Sequence, residues 1–422
     1  MAAHTLAEKI LMRAAGAASL RAGDIVVARV DLAMMHDSGG PRRVAPYLER
    51  LEAGVWDPDK IVLVTDHYVP AVDPQSAAIL SLTRRWAQDN AIKRFHDMQG
   101  ICHVVLQEQA HLRPGMLVVG GDSHSTSGGA VGAFMVGIGA TEMAGVLVTG
   151  EIWLRVPGTI RVEWHGRLAK GVCAKDMMLA LCRDLGQNND YRAIEYAGSA
   201  VSELPMAERF VLCNMSAELG AKAGMIAPDA VTLAEIRGNG GDIDETALDW
   251  RSDAQAVFER TASFDASSLP PQVAAPHSPG NTSAVAEVGR VRIDQAYIGA
   301  CTGAKLADLH MAARVLRGRT IAPHVRLLIA PASTRTTQAA AADGTLATLT
   351  AAGAILLPTG CGACAGYGAG ILGEGETCIS STARNFKGRM GHPSSRVYLA
   401  SPFTVAASAV AGHVTDPRPL LH

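Results

Sequence analysis

The sequence predicts an α/β protein with parallel sheets, divided into two or three domains. Three observations carry this. Short aliphatic, β-branched runs alternate with longer stretches of helical character. Hydrophobic residues make up 48% and aromatics only 5%, so small aliphatic side chains must build the core, with 43 glycines serving tight turns. The chain of 422 residues is also longer than a single core organises.

In chain order, Ile61–Thr65 reads as a buried parallel strand, because five apolar or β-branched residues run without alternation. Ala78–Arg94 follows with helical character. Met116–Val119 is a second buried run, and Pro157–Gly166 alternates like a strand and opens a second domain. Ala174–Leu185 is helical. Ser267–Ser283, rich in Pro and Ser and without periodicity, reads as an exposed linker. Beyond it Ala296–Ala300, Ala354–Leu357 and Arg396–Leu399 read as further buried strands. The domains expected are 1–157, 158–285 with the linker at its end, and 286–422.

Composition excludes several classes. Lys plus Arg number 38 against 40 Asp plus Glu, a net charge of −2, which argues against general nucleic-acid binding. No apolar run reaches membrane-spanning length, and the N-terminus lacks a secretory apolar core, so a cytoplasmic location is expected. Eight scattered cysteines in such a chain are buried thiols rather than disulfides, except where their spacing suits a metal.

The chemistry lies at strand ends, where open α/β sheets bind ligands. Ile61–Thr65 runs into Asp66-His67, Met116–Gly120 into Gly121-Asp122-Ser123-His124, Ala296–Ala300 into Cys301, and Ala354–Leu357 into a loop with Cys361-Gly-Ala-Cys364. Two residues between thiolates let both sulfurs face one centre. With Cys301 as a third thiol and no evident fourth, the set suits a metal centre with an open position. Asp66-His67 and Asp122-x-His124 are carboxylate–imidazole pairs, with His103 a third imidazole, and a carboxylate fixes a ring's tautomer and raises its basicity. Arg384 and Arg389 sit five apart in a turn-rich stretch, which suits bidentate pairing with a di- or tricarboxylate. Asn214 and Glu218 stand four apart, as on one helix face. No Walker loop and no His-Glu-x-x-His occurs.

Eight ordered motifs carry a resemblance: Asp-His, Gly-Ile-Cys-His-Val-Val, Gly-Asp-Ser-His, Cys-Asn-Met-x-x-Glu, Tyr-Ile-Gly-x-Cys-Thr, Cys-Gly-x-Cys, Arg-Asn-Phe-x-Gly-Arg and Tyr-Leu-Ala-Ser-Pro. Together, from His36 to Pro402, they resemble the aconitase superfamily. The length and the cysteine loop look most like its short prokaryotic branch of isopropylmalate dehydratase large subunits, shared with homoaconitase and dimethylmalate dehydratase.

The resemblance implies three α/β domains around a central [4Fe–4S] cleft, without the fourth, swivelling domain. Cys301, Cys361 and Cys364 match the cluster ligands. His67, assisted by Asp66, matches the proton donor to the leaving hydroxyl. Asp122, His124, His103 and Glu218 would hold water and substrate oxygens. Arg384 and Arg389 would grip a distal carboxylate, and His36, Ser123 and Asn214 would contact substrate or cluster. The implied reaction is hydro-lyase chemistry on a small 2-hydroxy di- or tricarboxylate, such as 2-isopropylmalate to 3-isopropylmalate in leucine biosynthesis. The catalytic base would come from a separate small subunit of the swivelling-domain type, with no nucleic acid or membrane involved.

Three positions depart from the family pattern: Gly303 and Ala383 where Asn is usual, and Lys305 where Arg is common. Losing polar neighbours is expected to alter the cluster's potential and stability. Homoaconitate, dimethylmalate or citramalate as substrate, another metal or smaller cluster on the same fold, and a non-catalytic binding role are the competing readings.

Overall fold

The computed structural model describes residues 3–421. Three sheets, two all-parallel and one mixed, organise the chain. In the first, five strands run in the order Arg94–Asp97, Ile61–Thr65, Leu32–His36, Leu117–Gly120 and Phe134–Gly137, all parallel. Helices cover both faces, so successive strand residues enter two different cores. Leu32, Met34, Val62 and Val64 pack on one side, and Ala33, Met35, Ile61 and Leu63 on the other.

The second sheet has four parallel strands, in the order Ala223–Ile226, Arg192–Ala197, Gly158–His165 and Arg260–Asp265. The third has seven, from Thr282–Ala284 through Gln272–Ala274, Arg396–Ala400, Thr377–Ser380, Gln295–Ile298 and Arg326–Ile329 to Ile355–Leu356. Its last five strands are parallel and its first two antiparallel. A two-stranded antiparallel ribbon, Ile25–Arg29 with Glu151–Arg155, completes the set. Among the described residues no helix is long and apolar enough to cross a membrane.

Two expectations are corrected here. Ser267–Ser283 is not an exposed linker. Gln272–Ala274 pairs with Thr282–Ala284 and with Arg396–Ala400, and all three of its residues are buried. The Gln272 N–H donates to the Asp176 carboxylate at 2.8 Å. Pro270, Pro271, Pro276 and Pro279 lie outside both strands, where a missing N–H costs no ladder bond. Ala354–Leu357 is not a buried strand. Only Ile355–Leu356 pairs, at the sheet edge, with 51% and 43% of the two residues exposed.

Candidate active site

The site gathers at the carboxyl ends of the first and third sheets, with Asn214 and Glu218 contributed beside the second. The turn after Ile61–Thr65 is held from the neighbouring strand. Asp37, the residue after Leu32–His36, accepts the N–H groups of Asp66 (3.2 Å), His67 (3.1 Å) and Tyr68 (2.9 Å). That bend brings two side chains adjacent in sequence together. His67 Nδ1 lies 2.6 Å from Asp66 Oδ1, and Asp66 Oδ2 accepts the Cys102 N–H at 2.7 Å. Burial works against a charged ring, yet the Asp66 carboxylate overrides it and raises His67 to about 9.

The His36 ring stacks on His67 with centroids 4.2 Å apart. His36 Nδ1 accepts the Gly39 N–H at 3.3 Å and Nε2 faces the Gly121 carbonyl at 3.1 Å, which fits a neutral ring protonated at Nε2. Burial and the charge on His67 both lower the His36 pKa, so a neutral ring backs a cationic one.

A second network runs through Asp122. Its Oδ1 lies 2.8 Å from His103 Nε2 and accepts the His124 N–H at 2.8 Å, capping the turn Ser123–Val131. Burial alone would raise Asp122, but hydrogen bonds to His103 and His124 hold it well below the carboxylate range. His124 Nε2 meets Glu218 Oε1 at 2.9 Å. The same oxygen accepts Arg384 Nε at 2.7 Å, while Arg384 Nη1 donates to Ser123 Oγ at 2.8 Å. Burial and Arg384 disfavour a charged His124, and Asp122 and Glu218 nonetheless raise it. Glu218 is pulled down by His124 and Arg384 against burial. The Asn214–Glu218 pair is thus interior, at the junction of helix Met206–Asn214 with the turn Met215–Leu219.

The three cysteines lie beside these networks. Asn214 Nδ2 points at Cys301 Sγ, 3.3 Å away. The Cys361 N–H donates to the Asp66 carbonyl at 2.7 Å, tying the cysteine loop to the acid dyad. The neighbouring Cys361 thiol pulls Cys364 down against burial, helped by the charges of Arg389 and His124. The two arginines therefore divide the work, Arg384 holding Glu218 and Ser123 and Arg389 facing the thiols. A cavity of about 340 Å³ opens onto His67, lined by Tyr68, Val69, Ile79, Gly362 and Tyr367.

The family pattern described as the aconitase family (aconitate hydratase) matches residues 8–291 and 283–412. The chain belongs to the aconitase family. It is 46% identical, over 99% of both chains, to a 3-isopropylmalate dehydratase large subunit 1 of Methanopyrus kandleri. It is 44% identical, over 99% of this chain and 97% of the relative, to a 3-isopropylmalate dehydratase large subunit of Herpetosiphon aurantiacus. It is also 43% identical, over 93% of this chain and all of the relative, to a probable methanogen homoaconitase large subunit of Methanosarcina mazei.

Aconitase-family proteins typically bear an iron–sulfur cluster, and the residues present fit one. Among the described residues three of six buried polar atoms without a partner lie beside the thiols: Asn214 Oδ1 near Cys301, Tyr297 OH near Cys361 and Cys364, and Arg389 Nε near Cys364. Such atoms call for a guest. Two groups of side chains have ligand atoms within 4.8 Å of one another, as a single ion requires: His36, Asp37, Asp66 and His67, and His103, Asp122 and His124. The three cysteines do not form such a single-ion group. Within the two closer groups the atoms already bind one another, as His67 does Asp66 and His103 does Asp122.

Two of the three departures from the family pattern have local surroundings that fit them. A Cβ at Gly303 would meet Ser381 Oγ at 2.1 Å and Ser381 Cβ at 2.3 Å, so the space an Asn would use is filled by Ser381. Lys305 Nζ donates to the Cys301 carbonyl at 3.1 Å and pairs with Asp308 at 2.6 Å, keeping a cation behind Cys301. Ala383 is buried, and nothing in the structure explains why it replaces Asn. Sequence reasoning missed Asp37 and Lys175. Asp37 also follows a strand, and treating Leu32–His36 as one would have exposed it. Lys175 lies in a helix and carried no such signal.

Proposed function

We propose that the chain is the cluster-bearing large subunit of a cytoplasmic hydro-lyase of leucine biosynthesis, acting on 2-isopropylmalate and 3-isopropylmalate with a small subunit of the swivelling-domain type. The observation that carries this reading is the convergence of the Asp66–His67 dyad with Cys301, Cys361 and Cys364. The three thiols would hold a [4Fe–4S] cluster. When bound, such a cluster supplies a Lewis-acidic iron without a protein ligand.

The chain's own residues do the rest. His67, protonated at neutral pH, stands ready to give its proton to a leaving hydroxyl, and Asp66 steadies the resulting neutral ring in one tautomer. His36 and the Asp37-held turn fix the ring's plane. Asp122, His103, His124 and Glu218 form a linked set of donors and acceptors that orients water and substrate oxygens. Arg384, held by Glu218 and Ser123, and Arg389, beside the thiols, would offer their remaining N–H groups to the substrate carboxylates. The partner subunit provides the base that takes the proton from carbon.

One specific observation keeps a second substrate in view: a relative of nearly equal similarity is named a homoaconitase large subunit. The deciding experiment assays the reconstituted chain, alone and with its small subunit, for stereospecific hydration and dehydration of isopropylmalate, homocitrate-type, dimethylmalate and citramalate substrates. Turnover of isopropylmalate only with the partner supports the reading. Full activity of the chain alone, or turnover of uncharged alcohols only, contradicts it.

A further inference from the structure

Lys175 is a buried ammonium without a carboxylate partner. The residue is 1% exposed, in the first turn of helix Ala174–Asp184. Its Nζ donates to the Ser381 carbonyl at 3.2 Å and the Thr382 carbonyl at 2.6 Å. The nearby carboxylates are engaged elsewhere. Glu218 is held by His124 and Arg384. Asp308 is held by Lys305. Asp176 accepts the N–H groups of Cys173 and Gln272. Among the described residues Lys175 forms no ion pair, whereas Lys305, the neighbouring buried lysine, has its own at 2.6 Å. A buried charge left unmatched is expensive, and a negative group placed near it offsets that cost.

The position says what arrives. Ser381 fills the space over Gly303, two residues beyond Cys301, and Arg384 follows Thr382 by two residues. Burial lowers Lys175 to about 8, and the negative forms of Glu218, then of Cys182, Cys173 and Cys301, work against that. Of these only Cys301 belongs to the candidate cluster ligands.

We propose that Lys175 is a positioning residue whose positive charge is matched by the three-thiolate iron–sulfur centre, and which holds the Ser381–Thr382 carbonyls so that Arg384 faces the cleft. This rests on the cluster assignment made above. The charge serves the centre and not the folding of the cluster-free chain.

The test uses the full chain, with anaerobic reconstitution and three variants. Lys175→Gln keeps a donor for the carbonyls and removes the charge, Lys175→Met removes both, and Lys175→Arg keeps the charge. Cluster-free K175Q and K175M should melt cooperatively. Once reconstituted, K175Q should show a more negative midpoint potential in an EPR-monitored redox titration, since a lost cation disfavours the added electron. It should also lose iron to a chelator about ten- to a hundredfold faster. K175R should stay close to the unsubstituted chain in both measurements. An unchanged potential and iron-loss rate in K175Q would overturn the proposal. So would failure of both neutral variants to fold without cluster, because the charge would then serve the fold. If the unsubstituted chain binds no iron or sulfide, the cluster assignment itself has failed, which separates the two outcomes.

Discussion

Asp37 and His67 stand 30 residues apart and meet through the backbone: the Asp37 Oδ1 accepts the His67 N–H at 3.1 Å, as well as the Asp66 N–H. Neighbouring side chains normally diverge. This carboxylate bends the chain past the strand end so that Asp66 and His67 converge.

Replacing Asp37 should therefore damage stability and activity together. Asp37→Ala leaves three N–H groups without their acceptor, and we expect a loss of about 2–4 kcal/mol in denaturant unfolding. Asp37→Asn, which keeps one oxygen, should lose less. Equal losses in both variants would assign the effect to the charge and not to the turn.

His67 should act as the proton donor. His67→Gln is expected to lower kcat by about a hundred- to ten-thousandfold in the assembled, cluster-loaded enzyme while leaving its iron content unchanged. Asp66→Asn should lower kcat less, because the ring remains but is no longer held as the cation. Steady-state rates measured beside iron analysis check this. A near-normal rate in His67→Gln would place the acid elsewhere.

Gly303 and Ser381 should be coupled. Gly303→Asn alone forces a side chain into the Ser381 hydroxyl, at an expected cost of about 1–3 kcal/mol. Combining it with Ser381→Gly should recover much of that loss. A double-mutant cycle of urea midpoints reads the coupling, and additivity would show that the contact does not decide residue 303.

Glu208 and Asp176 should withdraw stability as pH rises from about 5 to about 8. Burial raises Glu208 to about 7 from an ordinary 4.5, and Asp176 to about 6 from 3.8. Between the unfolded and folded values the native state binds more protons than the unfolded one. The contribution is therefore fully present below the unfolded values and lost as pH rises through the folded ones. Glu208→Gln should shrink the stability difference between pH 5 and pH 8 by about 2–3 kcal/mol. A cluster-free chain with an unchanged pH slope in that variant would exclude Glu208 as the cause.

The strand-end residues were legible because chemistry and topology coincide in short stretches. An apolar run followed by Asp-His or Gly-Asp-Ser-His names the strand and its candidate site residues, whereas the run before Cys-x-x-Cys forms only the exposed edge pair Ile355–Leu356. The buried strand Gln272–Ala274 was not legible, since its prolines mark turns without showing that the residues between them pair with distant Arg396–Ala400. Lys175 was hidden for a related reason. A lysine in a helix reads as solvated, and only the approach of the Ser381–Thr382 loop, more than 200 positions away, buries it. The orientation of Arg384 toward Glu218 likewise depends on a contact across 166 positions.

The central claim is that Cys301, Cys361 and Cys364 together hold an iron–sulfur cluster beside His67. Its most direct test is anaerobic reconstitution of the chain and of its Cys301→Ser/Cys361→Ser/Cys364→Ser variant, followed by iron and acid-labile sulfide counting. Iron and sulfide should be found in equal amounts in the unsubstituted chain and neither in the variant. Retention of the same iron and sulfide by the variant would contradict it.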